Sequence, residues 1–238
     1  MLVAFGVLIS AFLIVFVLGY LDPQPWGEVP ANAVPRAPVQ PGAAFYASGD
    51  MGIEMGFGRP IVRAIADSGV PLITLNSLTY FRNSRARGEI QLMVRQAVEL
   101  SVSHYHINKV VLIGQSLGAE ALVVGFEQLP PALREHVAGL ILIVPSESYM
   151  LRSSPGGAFS FWEPEFSILP YTRALALKPV ICLRGADEQD SLCPRLHGEN
   201  IEQITLPGGH LLDFAGATVA KIVTNKTNAL LAGTVAAK

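Results

Sequence analysis

Along the chain, hydrophobic and polar positions fall into three regimes. From Leu2 to Leu21 no side chain carries a charge. A helix of that length spans about 30 Å, the thickness of a hydrocarbon core, whereas the apolar part of a cleaved export signal is shorter. The run therefore predicts an uncleaved anchor helix over residues 1–22. A buried core helix would normally keep a polar face, which this run lacks. The first basic residue, Arg36, follows the run, so charge does not orient the segment. Ala31-Asn32-Ala33 is a small-x-small sequence that leaves export with cleavage open.

In the second regime Pro23, Pro25, Pro30, Pro35, Pro38 and Pro41 crowd residues 23–41. Each removes an amide donor, which disfavours helix and interior strand, and the stretch is expected to be a linker.

In the third regime, 42–238, short apolar runs alternate with helical periodicity. The runs Ala43–Ala47, Pro71–Leu75, Lys109–Ile113, Leu140–Val144, Pro179–Leu183 and Ile201–Thr205 have the length of buried strands. Between them, Pro60–Asp67, Leu117–Glu127 and Leu211–Leu231 have helical character, and Ile90, Met93, Val94, Ala97 and Ser101 recur at helical steps. The alternation predicts one α/β domain, a mostly parallel sheet with helices on both faces. Residues 149–171, rich in Gly, Pro and aromatics, fit neither period and could form a lid.

The chemistry centres on Gly114-Gln115-Ser116-Leu117-Gly118, directly after one predicted strand and directly before a helix. In a strand-turn-helix elbow the serine hydroxyl stands exposed above the sheet, and glycines on either side permit the close approach. The acid and base of such a site follow in the order Ser, Asp or Glu, His. Here the strand Pro179–Leu183 runs into Asp187, Glu188 and Asp190, and Ile201–Thr205 runs into Gly208-Gly209-His210. His210 would take the Ser116 proton, and a carboxylate would fix its tautomer. Asp190, four residues before Pro194, is the favoured acid, while counting from Gly185 selects Glu188, and Asp187 is a further alternative. His104, His106, His136 and His197 fit solvated or capping roles better. The oxyanion donors are expected to be the backbone N–H of Leu117 and that of Asp50 or Met51, in Ser48-Gly49-Asp50-Met51-Gly52 after the first strand. Together these features predict a serine ester hydrolase with an α/β-hydrolase-like fold. Acyl transfer to an acceptor other than water would use the same groups.

Composition narrows the partners. A net charge of −2 without a Lys/Arg-rich run makes nucleic acid a poor candidate partner. The two cysteines, Cys182 and Cys193, bracket the acid loop and are expected to pair, which places the domain in an oxidising compartment. Without clustered histidines they make no zinc set, and no metal or cofactor is expected.

Through Ser48-Gly49-Asp50, Ser77-Leu78-Thr79-Tyr80-Phe81, the Ser116 elbow and Asp190-Ser191-Leu192-Cys193-Pro194, the chain resembles the VirJ/AcvB family of bacterial virulence proteins from Ala43 onward. It departs from the family's Gly-Asp-Gly-Gly-Trp at Gly49-Asp50-Met51-Gly52-Ile53. The resemblance implies an α/β-hydrolase fold in the periplasm and hydrolysis of the aminoacyl ester of lysyl-phosphatidylglycerol. It also implies an alternative, a non-catalytic scaffold or chaperone working with type IV secretion components at the inner membrane. Glu163 and Glu165, in the possible lid, could pair with a cationic aminoacyl group, though a solvated acidic loop is the favoured reading.

Overall fold

The computed structural model describes residues 20–32, 42–149 and 166–234. Residues 1–19 of the expected anchor, 33–41 of the linker, and 150–165 of the possible lid, with Glu163 and Glu165, lie outside the described residues. Among the described residues no helix is long and apolar enough to cross a membrane.

Strands β1 (Trp26–Val29), β2 (Ala43–Ala47), β3 (Leu72–Leu75), β4 (Val110–Gln115), β5 (Val137–Ile143), β8 (Val180–Gly185) and β9 (Ile201–Leu206) form one sheet in the order β1-β3-β2-β4-β5-β8-β9. All neighbours run parallel except β1, which is antiparallel to β3. Two short strands, β6 (Ser148–Tyr149) and β7 (Phe166–Ser167), pair separately.

The central strands are buried along both faces, which is why their sequences are continuous apolar runs rather than alternating ones. Within β4, Val110 and Leu112 face one side, with α3 (Arg87–Tyr105) and α4 (Leu117–Glu127). Val111 and Ile113 face the other, with α1 (Gly58–Asp67) and α6 (Gly216–Leu231). Two short helices, α2 (Ser77–Tyr80) and α5 (Pro131–His136), sit in connections that the hydrophobic pattern did not mark.

The structure departs from expectation at both ends. The first part of the proline-rich stretch is not a free linker, because Trp26–Val29 forms β1. Pro25 and Pro30 flank these four residues rather than interrupting them, and an edge strand tolerates proline nearby. The last helix starts at Gly216 rather than Leu211. Leu212, Asp213 and Phe214 have φ of 46°, 49° and 56°, a left-handed run that no α-helix contains.

Candidate active site

Strand β4 ends at Gln115 and α4 begins at Leu117, so the bend falls on Ser116, with φ 48° and ψ −122°. Such a backbone costs a non-glycine residue about 1–3 kcal/mol and persists only where its surroundings over-determine it. The Ser116 N–H donates to Ile143 O at 2.8 Å, and the Ser116 carbonyl accepts the N–H groups of Ala119 at 2.8 Å and Glu120 at 3.0 Å. The flanking glycines let the turn close. A Cβ on Gly114 would lie 2.5 Å from the Ala119 Cα, and one on Gly118 would lie 2.4 Å from the Ala47 carbonyl oxygen.

His210 arrives on the loop after β9. Its Nε2 is 2.9 Å from Ser116 Oγ, and its Nδ1 is 2.7 Å from Glu188 Oε1. The Glu188 side chain is 2% exposed, and its second oxygen accepts the Gly185 N–H at 2.8 Å. Hydroxyl, imidazole and carboxylate thus meet in one hydrogen-bonded series at the carboxyl ends of β4, β9 and β8, where open parallel sheets carry their sites.

Glu188, not the Asp190 favoured by its spacing to Pro194, is the acid on the histidine. Beyond Gly185 the chain folds back in a tight turn, which returns Glu188 toward the end of its own strand. By Asp190 the chain has moved to another neighbour: its carbonyl accepts the Glu147 N–H at 2.8 Å and its side chain is exposed. Asp187 is also exposed, with its N–H on the Gly208 carbonyl at 3.0 Å. Burial works against a charge on the His210 ring, but the Glu188 hydrogen bond and charge, followed by the charges of Glu120 and Asp190, outweigh it. The net effect raises the His210 pKa above the ordinary histidine value.

Leu117 opens α4, so its N–H belongs to the first-turn donors without an intrahelical partner, at the positive end of the helix dipole. The Ser48–Gly52 loop lies beside it, and a Cβ on Gly49 would stand 3.5 Å from the Ser116 Cβ. Ser48 Oγ accepts the Ser77 N–H at 2.9 Å and donates to the Gly49 carbonyl at 3.0 Å, so the start of α2 buttresses this loop. Burial raises the pKa of the Asp50 carboxyl, and the nearby His210 charge and two backbone amides only partly offset the rise.

Sequence reasoning missed Glu120. It is buried in the first turn of α4, accepts the Ser146 N–H at 3.1 Å, and has its pKa pushed up to about 8 by burial. The signal was available: between Leu117 and Phe126 it is the one charged position in an apolar helix. Ser146 in turn bridges to Ser191, and the Leu192 N–H donates to the Pro145 carbonyl at 2.8 Å. Cys182 and Cys193 are disulfide-bonded, which closes the base of the acid loop. Among the described residues no group of three His, Cys, Asp or Glu side chains could hold a metal ion.

A parallel sheet with helices on both faces, a serine elbow after its central strand, and an acid and histidine on the loops after its last two strands define the α/β-hydrolase fold. Solved structures share it. Est1E from Butyrivibrio proteoclasticus matches with a TM-score of 0.62 at 11% identity, over 88% of this chain and all (100%) of that one. The esterase domain of a Rhodothermus marinus protein matches with a TM-score of 0.58 at 14% identity, covering 85% and 97% of the two chains. The α/β-hydrolase GrgF from Penicillium sp. sh18 gives 0.60 at 14% identity, covering 87% and 98%. No curated protein matches the sequence. Residues 43–230 match the family described as bacterial virulence protein (VirJ), and the chain belongs to that family.

Proposed function

We propose that this chain is a serine ester hydrolase acting on an aminoacylated phospholipid of the lysyl-phosphatidylglycerol type, held by its N-terminal apolar run at the periplasmic face of the inner membrane. The observation that carries the reading is the hydrogen-bonded series Ser116, His210, Glu188. His210 Nε2 takes the Ser116 proton as Oγ attacks the ester carbonyl, and Glu188 holds the Nδ1 proton and stabilises the imidazolium. The Leu117 N–H stabilises the developing oxyanion. Collapse of the tetrahedral intermediate returns the proton to the leaving glycerol hydroxyl and leaves an aminoacyl ester on Ser116. Water, deprotonated by His210, then releases the amino acid and restores the serine.

The aminoacyl-lipid reading draws support from family membership and from the uncharged run Leu2 to Leu21, which suits a substrate that does not leave the bilayer. The half-buried carboxyl of Asp50 and the buried one of Glu120, both within electrostatic reach of His210, suit an ester that carries an ammonium group. The test is release of lysine from purified lysyl-phosphatidylglycerol by the full chain. Loss of release in Ser116→Ala, with loss of fluorophosphonate labelling, is the expected result. Full release by Ser116→Ala removes the proposal, and cleavage of short acyl esters alone reduces it to a general esterase. Absence of labelling in the wild-type chain would instead favour the scaffold role.

A further inference from the structure

The chain joins the domain on the edge of the sheet that carries Ser116. Because β1 is antiparallel to β3, with Trp26 opposite Leu75, the residues before Trp26 stand at the carboxyl ends of the parallel strands. Three hydrogen bonds fix them there. Asn76 N–H donates to the Pro25 carbonyl at 2.8 Å, and Arg82 Nη1 donates to the carbonyls of Tyr20 at 3.2 Å and Asp22 at 3.3 Å. Leu21, the last residue of the uncharged run, is therefore attached to the body of the domain. Three strand spacings, about 15 Å, separate β1 from β4 along the sheet.

The same edge exposes large apolar side chains around the site. Met51 (40% exposed) and Met55 (44%) lie on the loop after β2, and Leu211 (47%) and Phe214 (79%) follow His210. The two loops adjoin, since a Cβ on Gly216 would lie 3.9 Å from the Phe57 ring. In the left-handed run Leu212 is buried while Phe214 remains exposed. Arg82 and Arg85, in the connection between α2 and α3 on that edge, and Arg87, which opens α3, add positive charge there, of which Arg85 is paired with Glu89 at 2.8 Å.

We propose that this edge is a docking surface for an anionic phospholipid bilayer, the one that holds the N-terminal run, so that the Ser116–His210 site opens against the headgroups. The apolar rim would enter the headgroup boundary, and the arginines would face anionic lipid. The inference rests on the membrane-anchored reading above and adds an orientation to it.

The test uses the full chain in phosphatidylglycerol–phosphatidylcholine vesicles carrying a headgroup-level nitroxide quencher. Bimane is attached to Phe214→Cys and, as a control, to Leu177→Cys, an exposed residue before β8 on the opposite edge. Several-fold stronger quenching at 214 than at 177 is expected. Equal quenching in chains that float with the vesicles overturns the orientation and leaves the anchor intact, whereas chains that do not float overturn both. A dimer that Phe214→Ser dissolves would assign the face to a second copy and also overturn the proposal. The double variant Met55→Ser, Phe214→Ser should lose several-fold activity on lysyl-phosphatidylglycerol in vesicles while cleaving soluble p-nitrophenyl acetate at the wild-type rate. An unchanged vesicle rate counts against docking.

Discussion

Glu188 holds His210 Nδ1 with one carboxylate oxygen, at 2.7 Å, and the N–H at the end of its own strand with the other, at 2.8 Å. The acid is thus fixed from two sides before the histidine meets it. Glu188→Gln keeps the shape but offers the ring an amide in place of a carboxylate. The kcat of ester hydrolysis should fall by about 10²–10⁴. Asp190→Asn should change it no more than a few-fold, since that side chain reaches the ring only through its charge. Steady-state kinetics of the two variants on one soluble ester checks the assignment, and equal losses would refute it.

The pH profile follows from the same contacts. His210 acts as base only when neutral, and its pKa is raised above the ordinary histidine value. Activity should therefore climb with pH through a limb displaced to the alkaline side of an unperturbed histidine. Asp190→Asn removes one of the charges that raise it, so the limb of that variant should move to lower pH. A kcat/KM profile for each protein measures the displacement, and a limb unmoved or moved upward would contradict the electrostatic account.

Glu120 makes a separate prediction about stability. Its folded pKa, about 8, lies above the ordinary carboxyl value of 4.5, so between those values the folded chain binds the proton more tightly than the unfolded chain. Its contribution is fully present below the unfolded value and is lost as pH rises through the folded one. Glu120→Gln removes this proton linkage. Relative to wild type, the variant should gain on the order of a few kcal/mol between pH 5 and 9. Urea denaturation across that range tests it, and parallel curves would be incompatible with a buried, titrating Glu120.

The disulfide gives a fourth. Joining Cys182 to Cys193, eleven positions apart, removes unfolded-chain entropy worth about 3 kcal/mol. The double variant Cys182→Ala, Cys193→Ala should lose stability on that scale. Its kcat should fall more than its ester binding, because the closed loop carries Glu188. Thermal and urea melts report the first effect and a KM-against-kcat split the second.

Much of this was legible in the residues because it follows from patterns with one physical solution. The strands at 43–47 and 72–75 are apolar throughout because both faces are covered, and the elbow motif left Ser116 no other place. The choice among Asp187, Glu188 and Asp190 was not legible. Three acids within four positions share the same composition and strand context, and a turn that folds one back onto Gly185 is a tertiary fact. β1 was hidden for a related reason: four residues between prolines have no periodicity of their own, and pairing with β3 supplies their order. The beginning of α6 was misjudged because Leu211, Leu212 and Phe214 match the helical period while the backbone from Leu212 to Phe214 is left-handed.

β1 also bears on how the protein can be cut. The family-matched region begins at residue 43, but a fragment starting there would strip β3 of its outer neighbour and leave a row of unsatisfied amides and carbonyls along an open margin. Such a fragment invites strand addition by its own copies. The smallest piece with that margin sealed starts ahead of Trp26.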